Sequence, residues 1–234
     1  MAVARFPGIT HVITDIEGTT SSIDFVKEVL FPYARQALPA FLQQHWRDEK
    51  VQAQVRAASA LAGQPLDTPE TASTLLQCWI DEDRKATPLK TLQGMIWKTG
   101  YEQGDYQAHL YDDTAPCLQR WFDAGKQLYV YSSGSVAAQQ LFFRYSVAGD
   151  LTPLFSDYFD TTTGPKQDTM SYHAIHRQLA VEARQILFLS DVVAELDAAK
   201  KAGIQTVHLD RDHGAPTSSV GSHPSVTSFT EIEL

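Results

Sequence analysis

Two kinds of hydrophobic spacing divide this chain. The first is short and dense. Residues 12–14 (VIT), 127–131 (QLYVY), 186–189 (ILFL) and 205–209 (QTVHL) are apolar and β-branched runs of strand length, each bounded by turn-forming residues, and they read as buried strands. The second is helical. From 21 to about 62, Phe25, Val29, Phe41, Leu42, Val51 and Val55 recur at broadly helical intervals, with Pro32 and Pro39 as breaks or helix starts. After a loop over 63–69, residues 71–82 read as a further amphipathic helix. Thr87-Pro88 reads as an N-cap followed by proline at the first helical position, opening a helix through Leu92, Met95, Ile96 and Tyr101 that closes at Gly104.

Beyond Asp112 the two spacings alternate. Asp113-Thr114-Ala115-Pro116 is read as the cap of a helix running through Leu118, Trp121 and Phe122 to Gly125. Helices are predicted from Ala137 to Phe143, over 169–179 and over 193–202, with a short strand at Tyr158-Phe159-Asp160. Residues 211–228, rich in Ser, Gly, His and Pro, read as a loop over the edge of the domain. The pattern predicts an α/β protein: a Rossmann-like, doubly wound parallel sheet core from 1–21 and 112–234, interrupted by an all-helical domain over 22–111. Trp46, Trp79 and Trp97 are expected to pack between helices of the insertion.

Composition narrows the class of partner. At 234 residues, the chain suits one large domain or one carrying a smaller one, on a scale of roughly 100–200 residues per domain. With 43% hydrophobic and 20% charged residues, dominant disorder is not expected. The net charge of -9 and the lack of a basic block disfavour nucleic acid and anionic membranes. No leader-like pattern or long apolar run is present, so a cytoplasmic location is expected. Cys78 and Cys117 lack CxxC spacing; two buried free thiols are expected. No HExxH-type spacing links His173, His176, His208, His213 and His223, so a histidine-ligated metal is not expected. Nothing calls for a partner subunit, and a monomer is the default expectation.

The chemistry gathers at strand ends. Asp15 and Glu17 follow the first strand, two apart, so a continuing strand would point both to one side. Two acids so placed repel unless a cation or proton lies between them. Ser132-Ser133-Gly134-Ser135 follows the second strand and precedes a helix, a natural anion site, although Ser133 or Ser135 could equally be a plain N-cap. Lys166 closes the turn 161–166, and Asp191 ends a later strand, where N-capping is the simpler alternative. Parallel strands joined through helices bring all these ends to one edge, where open α/β sheets bind ligands. Carboxylates with retained water suit Mg²⁺, which also engages phosphate. Phosphoryl transfer is mostly positioning and charge neutralisation, which such an edge supplies.

With these motifs the chain resembles the haloacid-dehalogenase superfamily of phosphohydrolases over nearly its whole length. The four motifs stand in the family's order: Asp15-Ile16-Glu17-Gly18-Thr19, the strand ending in Ser132, Lys166, and Ser190-Asp191. More narrowly, DIEGTT at 15–20, YSSGS at 131–135 and SDVVAELDAA at 190–199 are similar to the enolase-phosphatases of methionine salvage. Glu17 stands where most of the superfamily has Asp. The resemblance implies Asp15 as nucleophile and metal ligand, and Asp191 as a second ligand. Glu17 would give its carbonyl to the metal and join acid–base work, and Ser132, Ser133 and Lys166 would hold the phosphoryl group. It also implies one Mg²⁺ per subunit and a small phosphate ester substrate, 2,3-diketo-5-methylthiopentyl-1-phosphate, enolised before it is dephosphorylated. Glu17 and Lys166 are the candidates for removing the C1 proton. The helical insertion matches the family's cap domain in position. A plain phosphatase on another small ester is the alternative. A non-catalytic Mg²⁺- or phosphate-binding module is disfavoured, since Asp15 serves no purpose in a mere anion site, where a carboxylate repels phosphate.

Overall fold

The structure, a computed structural model, describes residues 3–211 and 219–234. The chain divides into two compact units, Met1–Ile23 with Gln107–Leu234, and Asp24–Tyr106.

The first unit is built on a seven-stranded sheet. Its strands are β2 (His11–Thr14), β3 (Gln127–Tyr131), β4 (Phe155–Phe159), β5 (Ile186–Ser190), β6 (Gln205–Leu209), β7 (Ser219–Val220) and β8 (His223–Val226), in the order β4-β3-β2-β5-β6-β8-β7. Every neighbouring pair is parallel except β7 with β8. A separate parallel ribbon joins β1 (Ala4–Arg5) to β9 (Ile232–Glu233). The chain moves outward from β2 to β3 and β4, then returns to β5 on the other side, so the strand order reverses at β2. That reversal opens the crevice in which doubly wound sheets bind ligands. Helices α6 (Thr114–Asp123), α7 (Val136–Arg144), α8 (Thr169–Leu179) and α9 (Val193–Lys201) make the crossovers. β5 is buried along its whole length because it is covered on both faces. One packed cluster joins Ile13, Tyr131, Ile186 and Phe188 of the strands to Tyr172, Ile175 and Leu196 of α8 and α9.

Of the loop predicted over 211–228, residues 212–218 lie outside the described residues, and 219–226 differ from the prediction. His223–Val226 extends the sheet beside β6, and Ser219–Val220 pairs back on it. Only His223 and Ser225 alternate inward there as polar residues, so no apolar period marks the strand. Thr206 Oγ1 meets His223 Nδ1 at 2.7 Å, and His208 Nδ1 meets Ser225 Oγ at 2.9 Å. A cross-strand ladder of polar side chains thus replaces the apolar signal. His213 lies outside the described residues.

The second unit is helical. A turn of α-helix, α1 (Ile23–Phe25), runs through a π-helical turn (Val26–Leu30) into α2 (Phe31–His45), followed by α3 (Glu49–Ala62), α4 (Pro69–Asp81) and α5 (Thr87–Gln103). Pro39 lies inside α2 rather than at a break. It cannot donate to the Arg35 carbonyl, and Gln77 Nε2 from α4 donates to that carbonyl instead, at 3.0 Å. Thr87 is not a cap: Ala86 holds that position without a side-chain bond, and Pro88 falls within the first turn. Gly104 closes α5 in the left-handed region as expected. Leu38, Leu42, Val55, Leu76 and Leu92 make the core with Trp79, while Trp46 and Trp97 pack partly buried against it. Cys78 on α4 is exposed and only Cys117 is buried, which corrects the expectation of two buried thiols. Cys78 falls on the outer side of a helix whose Leu76, Trp79 and Ile80 turn inward. Among the described residues no helix is long and apolar enough to cross a membrane.

Candidate active site

The chain leaves β2 at Asp15. The Asp15 N–H still donates across the sheet to Leu189 O at 2.9 Å. The next carbonyl, Ile16, then accepts from Thr19, Thr20 and Ser21 N–H at 3.2, 3.0 and 2.9 Å. That is a tight turn, and Gly18 takes the φ of 71° it needs. Strand alternation therefore stops before Glu17, so the same-side argument for Asp15 and Glu17 does not hold. Asp15 is buried, at 5% exposure, while Glu17 is half-buried. The hydroxyls of Thr14 and Thr20 donate to the Asp15 carbonyl at 2.9 and 3.3 Å and fix the backbone under the acid.

Lys166 reaches this acid from the loop after β4. Its Nζ lies 2.7 Å from Asp15 Oδ1 and 2.7 Å from Glu195 Oε2, with the ammonium buried at 8% exposure. Three hydroxyls aim the loop. Tyr131 donates to Gly164 O at 2.9 Å, Ser171 to Pro165 O at 2.8 Å and Tyr172 to Lys166 O at 2.7 Å. Burial holds the Tyr172 phenol far above its ordinary pKa, so it stays a donor. Burial disfavours the charged lysine, but Asp15 and Glu195 outweigh that and raise its pKa. Glu195 is raised by burial and by Asp15, with Lys166 and the Ser190 hydroxyl (3.0 Å) opposing.

Asp191 follows β5, the other neighbour of β2. It does not cap α9: Val192 is the N-cap, and the Ser190 Oγ accepts from Val192 N–H at 3.1 Å. Burial, then the charge of Asp15, raises the Asp191 carboxyl to about 7. Its Oδ1 is buried without a hydrogen-bond partner among the described residues. A Cβ built at Gly18 would overlap the Asp191 carboxylate, so the turn lies directly against this acid. Asp15 and Glu195 thus hold one ammonium between them, and Asp191 adds a third acid whose ionisation Asp15 opposes.

That donor set fits Mg²⁺. An orphaned carboxylate oxygen, an Asp191 carboxyl whose ionisation the charge of Asp15 opposes, and hard oxygen donors only are what a divalent cation with retained waters would satisfy. Among the described residues no three or more His, Cys, Asp or Glu side chains gather into an all-protein metal cage.

Ser132 ends β3 beside Asp15 in the sheet order, buried, with its Oγ accepting from Gly134 N–H at 3.3 Å. Ser133 is exposed. Ser135 is the N-cap of α7, accepting from Ala138 N–H at 3.3 Å, as the plain capping alternative held. The structure thus joins Asp15 and Lys166 directly, sets Asp191 against the turn, and leaves Ser132 and Ser133 at the adjacent strand end. The sequence places Glu195 on the helix over 193–202 and within the 190–199 motif but gives it no role. A buried acid on the inner face of α9, beside Leu196 and Ala198, was the one signal that could have marked it.

A doubly wound sheet with acids, a lysine and hydroxyls at its carboxyl edge defines a class, the haloacid dehalogenase-like hydrolases, and the model of that family matches residues 9–203. An enolase-phosphatase E1 from Alcanivorax borkumensis is 58% identical over 226 residues, covering 97% of this chain and 99% of its own. One from Pseudomonas fluorescens is 52% identical over 225 residues, covering 96% and 97%. Among solved structures, the UTR4 protein of Saccharomyces cerevisiae is similar with a TM-score of 0.80 at 35% identity, covering 94% of this chain and 98% of that one. The chain belongs to the enolase-phosphatase E1 family.

Proposed function

We propose that this chain enolises 2,3-diketo-5-methylthiopentyl-1-phosphate and then hydrolyses the phosphate ester, giving the acireductone of methionine salvage. Full-length kinship with enolase-phosphatases supports the reaction. The observation that carries the chemistry is the buried Asp15, held by Lys166 and standing beside an Asp191 oxygen that lacks a partner.

Asp15 Oδ attacks phosphorus, the bond to the substrate's ester oxygen breaks, and the phosphoryl group passes to the carboxylate. Water then cleaves the aspartyl phosphate, releasing phosphate and restoring Asp15, so one hard displacement becomes two easier ones. Lys166 and the Ser132 hydroxyl hold the phosphoryl oxygens, with the Ser133 N–H assisting. Mg²⁺, one per subunit, would be held by the Asp15 and Asp191 carboxylates and the Glu17 carbonyl, screening phosphate from the nucleophile and stabilising enolate charge. The Lys166 ammonium is fixed between two carboxylates, the setting of a cation rather than a base. We therefore assign removal of the C1 proton to Glu17. The helical unit corresponds in sequence position to the family's cap domain, and the reaction belongs in the cytoplasm.

The test follows enol absorbance and phosphate release together, with Mg²⁺ and the diketo ester. Wild type is expected to give both signals. Asp15→Asn is expected to accumulate enol phosphate while phosphate release falls at least about a thousandfold. Phosphate from simple esters but never from the diketone would leave only a plain phosphatase.

A further inference from the structure

Arg211 follows β6 and reaches back to the turn that carries the acids. Its Nε donates to the Thr19 carbonyl at 2.9 Å, while Nη1 donates to Asp113 Oδ1 and Oδ2 at 3.0 and 2.8 Å and to Thr227 O at 3.2 Å. The guanidinium lies between two rings, 4.4 Å from the centroid of Tyr111 and 4.8 Å from that of Phe229, and its side chain is 4% exposed. Asp113 is held in turn. It accepts from Ser228 Oγ at 2.7 Å and from Phe229 N–H at 2.6 Å; it holds the N-cap position of α6, as the sequence predicts, but its side chain makes no capping bond. The next carbonyl of the turn, Thr20, accepts from Tyr111 N–H and Thr114 Oγ1, each at 3.1 Å.

Three of the turn's N–H groups converge on Ile16 O, and Gly18 N–H donates to Ser21 O. Of the carbonyls that follow, Thr19 is taken by Arg211 and Thr20 by Tyr111 and Thr114. Burying an arginine is costly, and an apolar replacement could serve packing as well. What an apolar residue cannot do is hold the Thr19 carbonyl. A planar guanidinium can, because Nη1 holds both Asp113 oxygens while Nε points to the turn.

We infer that Arg211 is a positioning residue for phosphoryl transfer, setting the turn between Asp15 and Thr20 through the Thr19 carbonyl, with Asp113 fixing the plane of its guanidinium. The inference rests on the phosphatase reading above. In-line attack tolerates little displacement: about 1 Å can cost about a hundredfold.

The experiment measures melting temperature, kcat and KM with Mg²⁺ for Arg211→Lys, Asp113→Asn, their double variant and Val226→Ala. Both the diketo ester and p-nitrophenyl phosphate are used, well below each melting point. Val226 is buried on β8 outside the brace, so its truncation lowers stability without touching the turn. Arg211→Lys keeps a cation opposite Asp113 but loses the Nε bond. Its kcat is expected to fall about 10- to 100-fold with KM within about threefold, while Val226→Ala keeps kcat within about twofold despite its lower melting temperature. The double variant is expected to lose no more kcat than Arg211→Lys alone, since both act through one contact. Arg211→Lys at wild-type kcat, or losing no more than Val226→Ala does at equal stability, overturns the inference. If Arg211→Lys does not fold, Asp113→Asn decides: a kcat loss with KM held supports the brace, and full kcat overturns it. Wild type that releases phosphate from neither ester sinks the phosphatase reading instead.

Discussion

Gly18 shows how little room the candidate site leaves at a single position. Its φ of 71° lies in the left-handed region, and a Cβ there would overlap the Asp191 carboxylate. Gly18→Ala would meet a backbone cost of about 1–2 kcal/mol and displace an acid assigned to the metal. A lower melting temperature and at least about tenfold slower phosphate release are expected from calorimetry and a phosphate assay; an unchanged rate would separate Asp191 from the turn. At this scale much was legible. Asp15 and Asp191 were found because each ends an apolar run. Glu195 was not, because its meaning lies in Lys166, far along the chain. Asp113 holds the N-cap position of α6 as expected, but its side-chain partners, Arg211, Ser228 and Phe229, are equally remote in sequence and were not legible.

Among elements, Asp113 is the joint between the start of α6, the end of β6 and the segment after β8. Burial opposes its charge, but Arg211, the Ser228 hydroxyl and the Phe229 N–H outweigh that and hold its pKa below the ordinary carboxylate value. A depressed folded pKa contributes stability that is present above the unfolded value of about 3.9 and is lost as pH falls through the folded one. Asp113→Asn should therefore cost on the order of 3 kcal/mol at pH 7. The gap to wild type should close as pH drops below about 4. Chemical denaturation across pH measures it, and a gap that does not shrink in acid would remove Asp113's charge from the joint. The helices and central strands were legible in their periods. The π turn, the proline inside α2 and the β8 strand were not, because neighbours from other elements satisfy what local sequence leaves open. Gln77 supplies the donor that Pro39 lacks, and His223 and Ser225 pair with β6.

For the whole molecule, the net charge of -9 matters most at the candidate site, where Asp15 and Glu195 hold Lys166 and the charge of Asp15 opposes ionisation of Asp191. A cation that binds only the folded chain stabilises it by about 2.7 kcal/mol at a hundred times its Kd. That corresponds to several degrees of melting temperature, at about 2–4 °C per kcal/mol for a chain of this size. Mg²⁺ is expected to give such a rise, a chelator to reverse it and Asp191→Asn to abolish it, read by thermal denaturation against Na⁺ at equal ionic strength. An equal rise in Asp191→Asn would move the cation elsewhere.

The sequence by itself determined the two alternating periods, the strands that end in Asp15, Ser132 and Asp191, and the helical insertion. Those features follow from side-chain direction along a strand or helix, which is settled within a few residues. Only the tertiary structure decided which strand ends are neighbours, that Lys166 crosses β3 to reach Asp15 and Glu195, and that Arg211 braces the acidic turn. These contacts depend on sheet order and on the reach of long side chains between segments remote in sequence, and no local pattern encodes either.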